Sequence, residues 1–137
     1  VGDVIAVFGE LYRARFPITS IRPVEDFVGP DGRADDELSM AADNTSAFNC
    51  RTITGGGRWS RHARGTAIDL NPVTNPYVSG STVLPPAGSA WVDRSQHHPG
   101  LIRPGDVVTR AFAGRGWAWG GDFVSLEDYQ HFQYRGD

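Results

Sequence analysis

Two segments carry histidine and carboxylate side chains at spacings that can serve a metal ion. The first, SRHARGTAIDLNP from Ser60 to Pro72, places His62 seven positions ahead of Asp69 with Gly65 between them. On one strand an odd offset would turn the two side chains to opposite faces, and Gly65, Thr66, Ile68 and Pro72 disfavour a helix that could align them. The chain must therefore bend. This predicts His62 in a loop, Gly65 at the bend, and a strand from Thr66 to Leu70 with Ala67 and Asp69 on one face and Ile68 on the other. The second segment, GWAWGGDFVSLEDYQHFQ from Gly116 to Gln133, supplies His131 with Asp128 three positions before it. In a strand His131 faces away from Phe132, so Phe132 can anchor the core while His131 points into a cleft that Asp128 also reaches. Two neutral imidazoles and one carboxylate, His62, Asp69 and His131, form a sound Zn²⁺ triad that leaves a fourth tetrahedral position for water. An open position implies catalysis rather than scaffolding, and Asp128 would stand where a general base must stand. Spacing alone leaves a second reading open, in which both histidines are hydrogen-bonded structural residues and the aspartates cap turns.

These side chains need a scaffold to bring them together. Val4, Ile5, Val7, Phe8, Leu11 and Tyr12 recur at helical spacing, which predicts a first helix from Val4 to Arg15, stopped by Pro17. A short strand is expected from Ile18 to Val24, then a polar loop with its turn at Gly29-Pro30-Asp31-Gly32. Asp35 to Asp43 reads as a short helix and Ser46 to Ile53 as extended chain, broken at Gly55-Gly56-Gly57. From Asn71 to Pro104 the proline-rich punctuation of NPVTNPY and LPPAG predicts a long ordered loop. A second helix should run from Asp106 as N-cap through Ala113, ended by Gly114 and Gly116. Trp117 and Trp119 belong to the core, Gly120-Gly121 to a turn, and Tyr129 to Tyr134 to a sheet. Helices and short antiparallel strands without a βαβ rhythm give an α+β fold: a small antiparallel sheet flanked by helices.

Composition narrows the class of protein. At 137 residues the chain suits one domain, residues 1–137, with a single core. Its 17 glycines and 9 prolines exceed the usual combined share of ~12% and signal many turns. A formal charge of −3 disfavours a nucleic-acid partner, and no apolar run approaches the ~18 residues of a membrane span. All 13 basic residues are arginine. One cysteine, Cys50, excludes an intramolecular disulfide and is expected to be a small buried hydrophobe, so packing, with or without a metal, must hold the fold. Val1 is an improbable native start, which leaves room for a removed signal or further domains.

The residues Ser60, His62, Gly65, Ala67 and Asp69 meet in full the motif S-x-H-x-x-G-x-A-x-D. Five such matches arise by chance about once in a million starts. With Trp119-Gly120-Gly121-Asp122 followed by Asp128-x-x-His131, and with FNCR at Phe48 to Arg51 and NPVTNPY, the chain resembles the Hedgehog-fold zinc peptidases over roughly residues 40–133. That family includes D-alanyl-D-alanine carboxypeptidases and L-alanyl-D-glutamate endopeptidases of peptidoglycan. The resemblance implies zinc on His62, Asp69 and His131, Asp128 as catalytic base, and Arg51 as the arginine that stabilises charge on the scissile carbonyl, the alternative being a solvated surface arginine. Ser60 binds substrate or orients a ligand, or is an ordinary turn hydroxyl. Some members carry His-x-His in the last motif; here Tyr129 takes the earlier position, which likens the chain to the Asp-base endopeptidases. The resemblance thus implies a monomeric hydrolase of peptidoglycan stem peptides, extracellular, wall-associated or a phage lysin. A carboxypeptidase, or a non-catalytic wall-binding module with a structural zinc, stands as the alternative. Arg58, Arg61 and Arg64 crowd the same region as rim or solvated charges, Tyr77 and Trp91 are candidates for the cleft wall, and adjacent His97 and His98 are poorly placed to share one ion.

Overall fold

The computed structural model describes residues 1–53 and 56–136. Helix α1 spans Gly2–Arg13 and buries Val7 and Leu11, with Val4 and Phe8 packed beside them. That i, i+3, i+4, i+7 stripe is complete without Ile5 and Tyr12, which lie on the flank and are exposed. Strand β1 is only Ser20–Ile21; it pairs in parallel with β2, Asn44–Thr45. The shortening of the expected strand comes from Pro23, which lacks an N–H and leads into a 3-10 turn at Val24–Asp26. Helix α2, Asp36–Ala41, is capped by Asp35, whose carboxylate accepts the Leu38 N–H at 3.1 Å. Helix α3, Val107–Ala113, is capped in the same way by Asp106 from Thr109.

The central sheet has three antiparallel strands in the order β3 (Ala67–Asp69), β8 (His131–Tyr134), β6 (Trp117–Trp119). Its register pairs Ile68 with Phe132 and Phe132 with Trp119, so these three share one face. That face meets α1 and α3. Phe132 is fully buried and stacks on Phe112 at 4.0 Å between ring centroids; burying such a side chain is worth about 1.5–3 kcal/mol. The opposite face carries Asp69 paired with His131, and Gln133 between Ala67 and Ala118.

The stretch from Asn71 to Pro104 is not all loop. It holds the hairpin β4 (Tyr77–Ser79) and β5 (Thr82–Leu84) and a 3-10 helix at Pro86–Trp91. Strand β7, Glu127–Asp128, adds to β4 and completes a second antiparallel sheet in the order β5-β4-β7. Arg94 ties the rest of this stretch down. Its guanidinium donates to Thr74 O, Trp91 O, Ile102 O and Asn75 Oδ1 at 2.6–3.0 Å and lies 4.4 Å from the Tyr129 ring centroid. Two small antiparallel sheets, one short parallel pair and a few helices make this an α+β fold, with three small sheets among the described residues where one was expected. Among the described residues no helix is long and apolar enough to cross a membrane.

Ser46 to Ile53 is irregular, joined to its surroundings by the bridges Ser46↔Asp69 and Thr52↔Trp59. Gly56 and Gly57 take positive φ in the turn that follows, while Gly55 lies outside the described residues. Cys50 is exposed rather than buried. Its neighbour Asn49 takes the inward place and donates to Asp36 Oδ1 at 2.7 Å, which leaves Cys50 facing solvent.

Candidate active site

His62 opens a 3-10 turn, His62–Arg64, which ends because Gly65 adopts φ +68°, a left-handed conformation that costs glycine little. Ser60, buried, accepts the His62 N–H on its Oγ at 3.2 Å, and this bond sets the turn's entry. The chain then runs directly into β3, so the seven-residue offset becomes a bend that returns Asp69 beneath His62. Asp69 and His131 are cross-strand partners on adjacent strands, which fixes their side chains on the same face.

The three side chains converge. His62 Nε2 lies 3.2 Å from Asp69 Oδ2 and 3.2 Å from His131 Nδ1, and His131 Nδ1 lies 2.9 Å from Asp69 Oδ1. The outer nitrogens are committed elsewhere. His62 Nδ1 donates to the carbonyl of Ala47 at 2.7 Å, and His131 Nε2 donates to Gln133 Oε1 at 3.3 Å. With those protons in place, neutral rings would aim two lone pairs and a carboxylate at a single point, which is favourable only if a cation or extra protons sit between them. In the metal-free chain protons serve that purpose. Burial alone would lower both imidazoles, yet Asp69 outweighs it: His62 is raised, and His131 reaches about 9 through its hydrogen bond and attraction to Asp69. Asp69, despite its burial, is held well below the usual carboxylate range by the two histidines.

The donor set fits zinc. Ligands at ~2.0–2.1 Å on a tetrahedron stand about 3.3 Å apart, close to the separations found here. These three are the group among the described residues that could hold a metal ion.

Above them lies a cleft of about 290 Å³. Asp128 reaches it from β7, where it pairs with Tyr77. Its Oδ1 is sealed from solvent with no hydrogen-bond partner, and burial, opposed by the attraction of His131, pushes the carboxyl up to about 7. Gly120 packs directly under it. A Cβ there would stand 2.5 Å from the Asp128 carbonyl oxygen and 3.1 Å from His131 Cβ, so this glycine is required by close approach, not by its φ. Arg51 lines the same cleft from the other side, its Nε 2.9 Å from Asp36 Oδ2. Asp36 in turn is raised by burial against the pull of Arg51. Apolar wall comes from Met40, Ile53, Leu84, Phe123 and Leu126 beside Tyr77, and Gln130 and Gln133 add amides to the lining.

Ser60, His62, Asp69, Asp128, His131 and Arg51 therefore all border one cavity. Arg61 borders it too, with a bond from its guanidinium to Tyr134 O, whereas Arg58 is exposed and Arg64 lines a separate surface hollow with Cys50 and Trp59. Tyr77 forms wall; Trp91 instead packs on His98 at 4.5 Å, and both His97 and His98 are exposed away from the cleft lining. Asp36 and Gln133 were not anticipated, and Gly120 was read as a turn residue and not for its close packing beneath Asp128. Gln133 could have been found, since a residue two positions after His131 on a strand shares its face. Asp36 had no signal, being fifteen positions before its partner Arg51.

A family model described as D-alanyl-D-alanine carboxypeptidase matches residues 54–134, more than half of the chain. The chain belongs to this peptidase family. The matched span holds His62, Asp69, Asp128, His131 and Gln133, and begins after Asp36 and Arg51. No curated protein and no solved structure matches the chain. Family membership makes the protein a peptidase of the carboxypeptidase-like type.

Proposed function

We propose that this peptidase is zinc-dependent and hydrolyses peptidoglycan stem peptides at the bond between L-Ala and D-Glu. The observation that carries the proposal is the convergence of His62 Nε2, Asp69 and His131 Nδ1 beside a buried, partnerless oxygen of Asp128. Zinc held by His62, Asp69 and His131 would supply a Lewis acid and bring water toward ionisation near neutral pH. Asp128 takes the proton from the attacking water and returns it to the leaving amine. A buried carboxylate bordering the cleft with an oxygen that has no other hydrogen-bond partner is free to serve both halves of that transfer. Arg51, steadied by Asp36, offers its guanidinium to the oxygen on which charge develops. Ser60 holds His62 in place through the backbone, and the apolar walls exclude water from the peptide. Every one of these side chains comes from one chain, so a monomer suffices, and its substrate places its work at a bacterial cell wall.

Asp128 as the base and Tyr129 in place of a further histidine favour the endopeptidase. The description of the matching family favours a second reading, a carboxypeptidase that removes terminal D-Ala. Mass spectrometry of digested muropeptides separates them: new N-terminal D-Glu supports the first, and free D-Ala the second. Asp128→Asn should cut turnover by about 10²–10⁴-fold while zinc stays bound. Full activity in that variant would remove Asp128 from the mechanism, and a zinc-loaded wild-type chain with no turnover would point to a binding module.

A further inference from the structure

His131 differs from His62 in what holds its outer nitrogen. His62 Nδ1 bonds a backbone carbonyl, which no substitution removes, but His131 Nε2 meets only the side-chain oxygen of Gln133, two positions along the same strand. We infer that Gln133 is a positioning residue for His131, keeping the proton on Nε2 and the lone pair of Nδ1 aimed at Asp69 and His62. The inference rests on the metal-centre reading above. Three features support it.

The first is register. Gln133 sits on the site face between Ala67 and Ala118 on the flanking strands, two methyl side chains that leave the amide room to lie along the sheet toward the imidazole. The second is the division of labour along β8. Phe132 and Tyr134 belong to the opposite face, where Phe132 is fully buried and Tyr134 packs against Trp117, so Gln133 is not needed to fill the core. A polar residue bordering the cleft beside His131 has the imidazole as its observed partner. The third is the chemistry of an imidazole ligand. Without an acceptor at Nε2 the proton can move to Nδ1, which abolishes the lone pair a metal needs, and the ring can rotate about its last bond. A glutamine oxygen at that point holds both the tautomer and the ring plane.

The test uses zinc affinity, read by competition with a chromophoric chelator, and the visible spectrum of the cobalt-substituted protein. Gln133→Met keeps size and removes the acceptor; it should weaken zinc binding by about 10–100-fold and alter the cobalt bands. Gln133→Glu restores an acceptor and should bind zinc at least as tightly as wild type. Equal zinc affinity in wild type and Gln133→Met overturns the inference. So does equal weakening in both variants, because shape rather than hydrogen bonding would then be responsible. A wild-type chain that takes up no zinc overturns the metal-centre reading itself, and this inference with it. Urea unfolding of the metal-free variants guards against a trivial loss of fold: an affinity loss that tracks a lost unfolding transition counts against the inference.

Discussion

Replacing Gly120 with alanine should disable the site with little effect on its composition. The new Cβ would meet the Asp128 carbonyl oxygen at 2.5 Å, Asp128 Cβ at 2.8 Å and His131 Cβ at 3.1 Å. Since non-bonded heavy atoms settle near 3.5–4.0 Å, β7 must retreat by about 1 Å at its end. The overpacking itself costs about 1–3 kcal/mol of stability. Catalysis should suffer more, because a displacement of ~1 Å in a reacting group is worth about 10²-fold in rate, or about 2.7 kcal/mol of activation free energy. The expected result is a folded, zinc-loaded Gly120→Ala protein whose kcat on isolated muropeptides falls about a hundredfold. Gly9→Ala is the control: it lies in α1, where the nearest atom to a new Cβ is Arg13 Nη1 at 3.6 Å, and it should raise stability by roughly 0.5–1 kcal/mol at unchanged rate. A wild-type kcat in Gly120→Ala would refute the claim that the tight contact beneath Asp128 sets its position.

The metal-free protein should lose stability as pH rises. His131 at about 9, against an ordinary 6.5, keeps a proton that the unfolded chain has released, so its contribution is complete below about pH 6.5 and gone above 9. Asp128 at about 7, against 3.8, slopes the same way between pH 4 and 7, whereas Asp69, held low, withdraws its support only in acid. Urea midpoints in chelator should therefore peak near pH 4–5 and decline toward pH 9; a midpoint that climbs over this range contradicts the assignment. Saturating zinc should reverse the slope, because the imidazoles bind metal only as neutral bases. Arg94→Met should destabilise the fold by about 3 kcal/mol or more, read by urea unfolding, since it strands the acceptors of Thr74, Trp91, Ile102 and Asn75. An unchanged midpoint would mean water replaces the guanidinium without cost.

How far the sequence foretold this arrangement varied with the range of the interactions. The facing of Asp69 and His131 follows from strand alternation plus two buried neighbours, Ile68 and Phe132, and was readable because both segments are local. The bend between His62 and Asp69 was readable from Gly65 for the same reason. Helix α3 announced itself through its cap Asp106, and α2 falls inside the expected span from Asp35 to Asp43, with Asp35 found outside the helix as its cap. The second sheet did not, because β4 and β5 have three residues each and sit among prolines, and the third strand, β7, joins β4 from some fifty positions away. Cys50 went astray because the inward position belongs to its polar neighbour: Asn49 is buried through a bond to Asp36 that no local pattern reveals. Ile5 and Tyr12 are exposed because α1 meets its neighbours along a narrower stripe than its apolar content allows.

Asp69 and His131 ride on one sheet and Asp128 on another, joined by the short corner of Tyr129 and Gln130. On the proposed reading, two of the side chains that would hold the ion and the one that would move the proton stand on different sheets. The hairpin turning at Gly80 is joined to Asp128's strand through β4, and not to the strands that carry Asp69 and His131.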